Sequence, residues 1–233
     1  MSRKAMSAAR VKTGFSVTKA HETQLRLSKQ IIHADVLPNK LRFVAGVDVA
    51  YVRKFSIGAA VVLDYSSLEV LESKTVFHKT DFPYVPTLLS FREIPPTVLS
   101  IRRLDLQPDI ILVDGHGFAH PYRCGLASHL GLVTGKPTIG IAKSRLFGYV
   151  EDSGDENVKL LKHRDEVVGV AFATKLGCRS VYVSVGHMVS LETAVKVVRH
   201  CTRNHRMPEP ILQAHQIAAR EKRKAHISSI ADN

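Results

Sequence analysis

Three acidic residues stand in parts of this sequence that are otherwise apolar. Asp48 interrupts a run of small and apolar residues over 44–51, Asp114 closes the apolar run 110–113, and Glu93 lies beside apolar residues on a predicted helix. A carboxylate in such surroundings must be paired, protonated or bound to a cation, because burying it without a partner is very costly. Clustered carboxylates suit a hard divalent cation such as Mg²⁺, which prefers oxygen ligands and activates water in phosphoryl chemistry.

Each acid also has a purely structural interpretation. The pair Asp114-Gly115 is typical of a turn, Asp48 would be explained by a buried arginine beside it, and Glu93 by a solvated helix face. The combination favours chemistry, because α/β sheets gather functional groups at the carboxyl ends of their strands.

Two basic side chains are candidates for the same centre. Lys143 follows the apolar residues 138–142, where it would either hold a phosphate or mark the exit of a strand to solvent. His215 shares one face of the last predicted helix with Ile211 and Ala218, so its imidazole is expected to point inward. A single histidine on such a face is more often a core residue than a catalyst, and both interpretations stay open.

The elements that position these side chains follow from hydrophobic periodicity and turn residues. Helical spacing predicts a first helix over 18–33, and three strands after it are expected to form an antiparallel meander. This order, followed by alternating helices and strands, indicates an α/β fold with a mixed sheet and helices on both faces. The predicted strands are 43–52, 57–63, 68–77, 110–113, 137–142, 167–173 and 180–184; later helices include one broken near Pro95-Pro96, one over 123–133, one capped by Ser190 and one from 208 to about 224; residues 144–165 are expected to be loop-rich.

The charge of the chain favours a polyanionic partner. Lys and Arg total 33 against 21 Asp and Glu, a formal net charge of +12, and nucleic acid is the commonest soluble polyanion. The three cysteines have no CxxC spacing, so neither a disulfide framework nor a thiolate zinc site is expected. No apolar run reaches the length of a membrane span, and a cytoplasmic protein without a membrane partner is expected.

The domain organisation is expected to be simple. The length suits one catalytic domain over 16–225, preceded by a basic flexible arm over 1–15 and followed by a tail over 226–233. A monomer is expected.

Five segments, in order, resemble the motifs of the endonuclease V family. The segments are residues 44–51 (VAGVDVAY), 83–93 (PYVPTLLSFRE), a block between 114 and 131 that opens with DGHG, 140–146 (GIAKSRL) and 190–194 (SLETA), and the resemblance as a whole runs from about residue 20 to residue 220. Two departures affect contacts with a strand and leave the acids intact: Tyr122 stands where the family usually has a basic residue, and Val185 replaces the usual proline before Gly186.

The resemblance implies a ribonuclease H-like fold and a metal-dependent endonuclease that acts in DNA repair. The reaction would be hydrolysis of the second phosphodiester bond on the 3′ side of an inosine or deoxyinosine, leaving a 3′-hydroxyl and a 5′-phosphate. The metal would be Mg²⁺, with Mn²⁺ also accepted. The substrate would be deoxyinosine-containing DNA or inosine-containing RNA, since members of the family divide on that point.

The resemblance also implies roles for particular residues. The catalytic set would be Asp48, Glu93, Asp114, Lys143 and His215, with the three acids as metal ligands. Tyr84 and its flanking prolines would wedge into a duplex where a base is flipped out, and the base pocket would use backbone near Thr87, Leu89 and Gly115. The full predicted nucleic-acid-binding set is Pro83, Tyr84, Val85, Pro86, Thr87, Leu89, Gly115 and His120.

Two other functions compete with this one. Another ribonuclease H-like nuclease, such as a junction resolvase or a hybrid nuclease, would share the acids but has no reason for the Pro-Tyr-Val-Pro segment. A non-catalytic RNA-binding module would use the basic surface and gives the acids no role.

Overall fold

A computed structural model describes residues 15–174 and 178–231, without the side chains of 228–231. Except for Phe15, the predicted basic arm lies outside the described residues, as do the last two residues of the predicted tail. The elements are α1 (Val17–Ser28), β1 (Phe43–Val52), β2 (Phe55–Asp64), β3 (Val70–Lys79), α2 (Leu89–Arg102), β4 (Ile110–Asp114), α3 (Leu126–Thr134), β5 (Thr138–Ala142), β6 (Tyr149–Asp152), β7 (Val158–His163), β8 (Glu166–Phe172), β9 (Val181–His187), α4 (Leu191–Cys201) and α5 (Glu209–Ala231).

The strands form one mixed sheet in the order β3-β2-β1-β4-β5-β9-β8-β7-β6. The first three strands are an antiparallel meander, as predicted. Strands β1, β4 and β5 run parallel to one another, and β9 joins β5 in the antiparallel sense. The parallel strands lie at the centre of the sheet, where their carboxyl ends meet at one edge.

Helices cover both faces of the sheet, which confirms the predicted layering. Because side chains alternate along a strand, Val44 and Leu112 face a core shared with α4 and α5. Their neighbours Ala45 and Val113 face a second core, shared with α2 and α3.

Helix α5 lies directly on β1 because Gly46 has no side chain. A Cβ at Gly46 would come within 1.9 Å of the Pro210 carbonyl oxygen. Asp48 is two residues further along and faces the same side, so this contact sets α5 over the acid.

The predicted break at Pro95-Pro96 is wrong, because α2 runs through both prolines. Each proline removes one helical hydrogen bond, and an interior proline costs about 3 kcal/mol or more. Pro96 is buried, and a Cβ at Gly58 would come within 2.3 Å of the Pro96 carbonyl oxygen. Tight packing of α2 against β2 holds the helix together.

Other boundaries also differ from the predictions. The stretch 144–165 contains the hairpin of β6 and β7 as well as loops, and β6 is exposed along its length. Helix α1 ends at Ser28 instead of 33, and α5 extends to Ala231, past 224. The predicted cap at Ser190 is confirmed, since its side chain accepts a hydrogen bond from the Thr193 amide. Among the described residues, the structure has no helix with the length and apolar character of a membrane span.

Candidate active site

Two of the three acids lie side by side at the carboxyl edge of the central strands. Val47 of β1 pairs with Val113 of β4 in parallel register, so Asp48 and Asp114 are the next residues on neighbouring strands. Both point to the α5 face, and each side chain is 16% exposed. The local fold therefore brings two carboxylates together in a setting that is largely withdrawn from water.

Asp48 is paired with His215 of α5. The His215 Nδ1 lies 2.8 Å from Asp48 Oδ2. The predicted inward orientation of the imidazole is wrong, because the His215 side chain is 60% exposed. The side chain reaches over the edge of the sheet while Ile211 and Ala218 fill the core, so the core-residue interpretation of His215 is wrong. The contact with His215 takes the place of the buried arginine that was the alternative explanation for Asp48.

Asp114 is paired with Lys143, which directly follows β5. The Lys143 ammonium donates to Asp114 Oδ2 at 2.5 Å. Burial raises the pKa of the Asp114 carboxyl, while the hydrogen bond and charge of Lys143 oppose that rise and Asp48 adds to it. Lys143 thus does more than mark the exit of a strand.

Glu93 approaches the two aspartates from α2. It is 9% exposed, so the solvated-face interpretation is wrong. Burial raises the pKa of Glu93 to about 8; the Tyr51 hydrogen bond and Arg92 oppose the rise, while Asp48 and Asp114 add to it. The Tyr51 hydroxyl donates to Glu93 Oε1 at 3.0 Å, and the Arg92 guanidinium stacks over the Tyr51 ring.

The donor set fits a divalent cation. In the described ranges, no three His, Cys, Asp or Glu side chains are already arranged to enclose a metal ion. The reason is visible in the contacts: Asp48 is turned to His215, Asp114 to Lys143 and Glu93 to Tyr51. After burial, the mutual repulsion of the acids adds to the raised pKa values of Glu93 and Asp114. A hard cation relieves that repulsion, and carboxylate oxygens are its preferred ligands.

A cavity of about 290 Å³ opens next to the acids. Every predicted nucleic-acid-binding residue except Pro83 lines it, and Pro83 lines an adjoining cavity with Phe82 and Phe91. The cavity meets the acid site at Asp114-Gly115, where one residue belongs to the acids and the next to the cavity wall. Its lining consists of Tyr84, Val85, Pro86, Thr87, Leu89, Ser90, Gly115, His116, His120, Gly125, Leu126, Ser144, Arg145 and Leu146.

The loop that carries Tyr84 is held in a strained conformation. Tyr84 is 71% exposed at the rim of the cavity. Thr87 has a φ of 70°, a left-handed backbone that is rare for a β-branched residue. The Gln24 amide donates to the Thr87 carbonyl at 2.9 Å, and His21 Nε2 lies 3.0 Å from the Thr87 hydroxyl. Strain of this kind persists only where the surroundings enforce it.

The imidazoles in the cavity are neutral. Burial lowers the pKa values of His116 and His120 to about 4. His116 Nε2 lies 3.0 Å from the Ser144 carbonyl, and its buried Nδ1 has no protein partner. These two histidines therefore offer polar groups without positive charge, and the positive charge in the lining comes from Arg145.

Sequence reasoning gave no site role to Tyr51, Gln24, His116 and Arg145. Tyr51 stood inside a quoted motif, and its hydroxyl three residues beyond Asp48 was the available signal. Gln24 could not be found from the sequence, because a polar residue is expected on the exposed face of a helix. Helix α1 instead buries Ala20 and Gln24 and leaves Leu25 48% exposed.

Comparison with known proteins decides the family. The model of the family described as Endonuclease V matches residues 25–216. The chain belongs to the endonuclease V family. It is 42% identical over 214 residues to the endonuclease V of Thermofilum pendens, covering 91% of this chain and 92% of that one.

Solved endonuclease V structures share the fold. The Streptomyces avermitilis protein superposes with a TM-score of 0.84 at 39% identity, covering 91% of this chain and 95% of that one. A Ciona intestinalis endonuclease V, in complex with a 24mer DNA containing an inosine followed by a ribo-adenosine, gives a TM-score of 0.82 at 32% identity over 90% and 98% of the two chains. The fold is ribonuclease H-like.

The activity follows from the family. The chain is a metal-dependent nuclease that hydrolyses phosphodiester bonds, and as an endonuclease V it acts on nucleic acid at deaminated purines in repair.

Proposed function

We propose that this endonuclease V hydrolyses the second phosphodiester bond on the 3′ side of an inosine, leaving a 3′-hydroxyl and a 5′-phosphate. We call the cavity of about 290 Å³ next to the acids the base cavity. The junction at Asp114-Gly115 supports the proposal, because the acids and the base cavity adjoin there. A base in the cavity keeps its own strand at the carboxylates, so recognition and cleavage act on the same strand. The Ciona protein is in complex with DNA that contains an inosine, which supports inosine as the base that the cavity of this chain binds.

Tyr84 and its flanking prolines separate the flipped base from its partner. Pro83 and Pro86 restrict the backbone on either side, and an exposed aromatic ring replaces the stacking that the duplex loses. The backbone at Thr87, Leu89 and Gly115 lines the cavity and reads the edge of the base. His120 and His116 remain neutral at physiological pH and do not demand an anionic base.

Asp48, Glu93 and Asp114 are the residues that hold Mg²⁺, with Mn²⁺ accepted in its place. The bound ion supplies activation of water and stabilisation of the phosphoryl oxygens. Lys143 and Arg92 offset part of the negative charge of these acids: the Lys143 ammonium contacts Asp114, and the charge of Arg92 opposes the rise in the Glu93 pKa. Tyr51 orients the Glu93 carboxylate by donating to Oε1.

Lys143 and His215 complete the centre without acting as its main ligands. The Lys143 ammonium, at Asp114, is a compact donor for a phosphoryl oxygen on which charge develops. His215 holds Asp48 through Nδ1, so Nε2 is the nitrogen left to accept or deliver a proton. We place deoxyinosine-containing DNA first as the substrate and inosine-containing RNA second, with the protein acting as a monomer.

Cleavage of matched strands tests the proposal. DNA and RNA strands of one sequence, with inosine or adenosine at a single position, are incubated with Mg²⁺ and the products are mapped. We expect one cut, at the second bond 3′ of inosine, with a 5′-phosphate on the downstream fragment. Cuts independent of inosine would favour a junction resolvase or hybrid nuclease, and tight binding without any cut would favour a non-catalytic RNA-binding module.

A further inference from the structure

A second depression, of about 420 Å³, shares the lining residues Ser144 and Arg145 with the base cavity. Its floor follows one row of the sheet: Ala142 pairs with Tyr182, Tyr182 with Ala171, and Ala171 with Lys159. We call it the basic groove. Its lining is Lys143, Ser144, Arg145, Val150, Lys159, Ala171, Arg179, Ser180, Tyr182 and Arg206.

The groove is positively charged along its length. Five of its lining residues are Lys or Arg, and no carboxylate belongs to its described lining. Lys143 is matched by Asp114, whereas Lys159 is 51% exposed and its nearest carboxylate, Asp152, is 4.0 Å away. Such a concentration of charge on an otherwise polar and small-residue floor attracts a polyanion.

Arg206 fixes the wall of the groove. Its guanidinium donates to the carbonyls of Arg179 at 2.8 Å and Ser180 at 2.7 Å, and also to the Lys143 carbonyl. Carbonyl oxygens carry no net charge, so Arg206 keeps its positive charge while its position is set. The same contacts join the residues just before β9 to Lys143, which directly follows β5.

The groove, the acids and the base cavity meet at residues 143–145. Ser144 and Arg145 line both cavities, and Lys143 lines the groove while it contacts Asp114. A strand whose base occupied the base cavity and whose cut bond lay at the acids would pass Lys143, because Lys143 contacts Asp114 and lines the groove. Since the proposed cut lies 3′ of the base, the strand beyond Lys143 is its 3′ continuation.

We infer that the basic groove binds the phosphates of the substrate strand on the 3′ side of the cut. This inference rests on the proposed function for the direction of the strand. Lysine and arginine contacts to phosphates position a strand without reading its sequence, so the groove contributes affinity and register while the base cavity contributes specificity.

The test uses a double variant, Lys159→Ala with Arg179→Ala, because these residues line the groove and neither the base cavity nor the acid site. Lys40→Ala with Arg102→Ala is the matched control: it removes two exposed charges, one before β1 and one at the end of α2. Binding of single-stranded DNA is measured by fluorescence anisotropy in EDTA, so no cleavage occurs. The strands carry inosine or adenine and are either complete or shortened on the 3′ or the 5′ side.

We expect the groove variant to bind the complete strand more weakly and to lower the slope of log K against log salt by about 1.4, for two phosphate contacts on a single strand. Wild-type protein should lose affinity when the 3′ side is shortened, and on that strand the groove variant should match wild type. The conservative pair Lys159→Arg with Arg179→Lys should restore binding, and the control variant should bind as wild type on every strand.

A wild-type salt slope in the groove variant would overturn the inference, as would an undiminished defect on the strand shortened at its 3′ side. The comparison is made between proteins on one strand, so it holds with inosine or adenine. Equal binding of the inosine and adenine strands by wild type would instead count against the proposed base recognition, and the two failures are therefore distinguishable.

Discussion

His215 Nδ1 lies 2.8 Å from Asp48 Oδ2, and it reaches that acid from an exposed position on α5. The close approach of α5 to Gly46 makes this contact possible, because any side chain at Gly46 would push the helix away from β1. A surface histidine is thereby tied to a carboxylate of the proposed metal centre.

His215→Ala should lower turnover more than it weakens substrate binding. The variant loses the group that holds Asp48, and removal of such a partner of a metal ligand typically costs about 10- to 100-fold in metal affinity or activity. Single-turnover cleavage at saturating enzyme, with Mg²⁺ titrated, measures the effect. Partial recovery at high Mg²⁺ is expected, and unchanged rates at every Mg²⁺ concentration would remove His215 from the centre.

Tyr84→Ala should weaken binding to an inosine-containing duplex by about 1–3 kcal/mol, the range for loss of one base–aromatic stack. The ring is 71% exposed, so little folding stability depends on it. On a single strand the loss should be smaller, because no base pair has to be parted. Equal losses on duplex and single strand would reduce Tyr84 to an ordinary contact.

Gln24→Leu should impair recognition of inosine from a position outside the cavity lining. The buried Gln24 amide donates to the carbonyls of Thr87 and Cys124, both at 2.9 Å, and so joins two loops that border the base cavity. Leucine leaves those carbonyls unpaired, which costs about 1–3 kcal/mol of stability and frees Thr87 from its left-handed backbone.

Urea unfolding and the ratio of cleavage at inosine and adenosine measure the two effects of Gln24→Leu. Gln30→Leu, the same change at an exposed glutamine, is the matched control and should alter neither. A stability loss with an unchanged inosine preference would show that Gln24 only supports the fold.

The buried histidines should lower the stability of the protein as the pH falls from about 6.5 toward 4, whereas Glu93, with its pKa raised to about 8, contributes in the opposite sense. Burial lowers the pKa of His120 from 6.5 to about 4, so the unfolded chain binds its proton first and acid favours unfolding. One such histidine costs about 2 kcal/mol between pH 7 and pH 5. His116 and His129 have pKa values lowered to about 4 for the same reason and add to the effect.

Urea unfolding at pH 7 and pH 5 checks this dependence. In His120→Gln the difference between the two free energies of unfolding should be smaller than in wild type by about 2 kcal/mol. The control His205→Gln alters an exposed histidine and should leave the difference unchanged. The same pH dependence in His120→Gln as in wild type would contradict the buried, neutral state of His120.

Much of the fold was predictable because its signals are local. The bounds of β1 were predicted correctly, and Asp114 was correctly placed at the end of β4, since apolar runs and turn residues mark strands directly. The predicted helix break at Pro95-Pro96 was wrong because the packing of α2 on Gly58, a long-range contact, outweighs the local tendency of proline to end a helix. The exposed position of His215 has the same kind of cause, since helical periodicity does not show where a helix crosses the edge of a sheet.

The candidate site was only partly predictable. The acids stood out because carboxylates are unusual in apolar segments, and family motifs supplied the residues around the base cavity. Gln24 acts through Thr87, 63 residues away, and Arg206 through Lys143, also 63 residues away. No periodicity links such positions, so only the folded chain brings them together.

The most direct test of the acid centre is single-turnover cleavage of an inosine-containing strand by Asp114→Ala and Asp114→Asn, with binding of the same strand measured in EDTA. Both variants should lose Mg²⁺-dependent cleavage and still bind the strand, because phosphate contacts supply most of the affinity and Asp114 makes none. Asp109→Asn is a suitable control, since Asp109 caps the start of β1 through the Arg42 and Phe43 amides at the far end of the strand. Cleavage at the wild-type rate by either Asp114 variant would contradict a catalytic centre built on Asp48, Glu93 and Asp114.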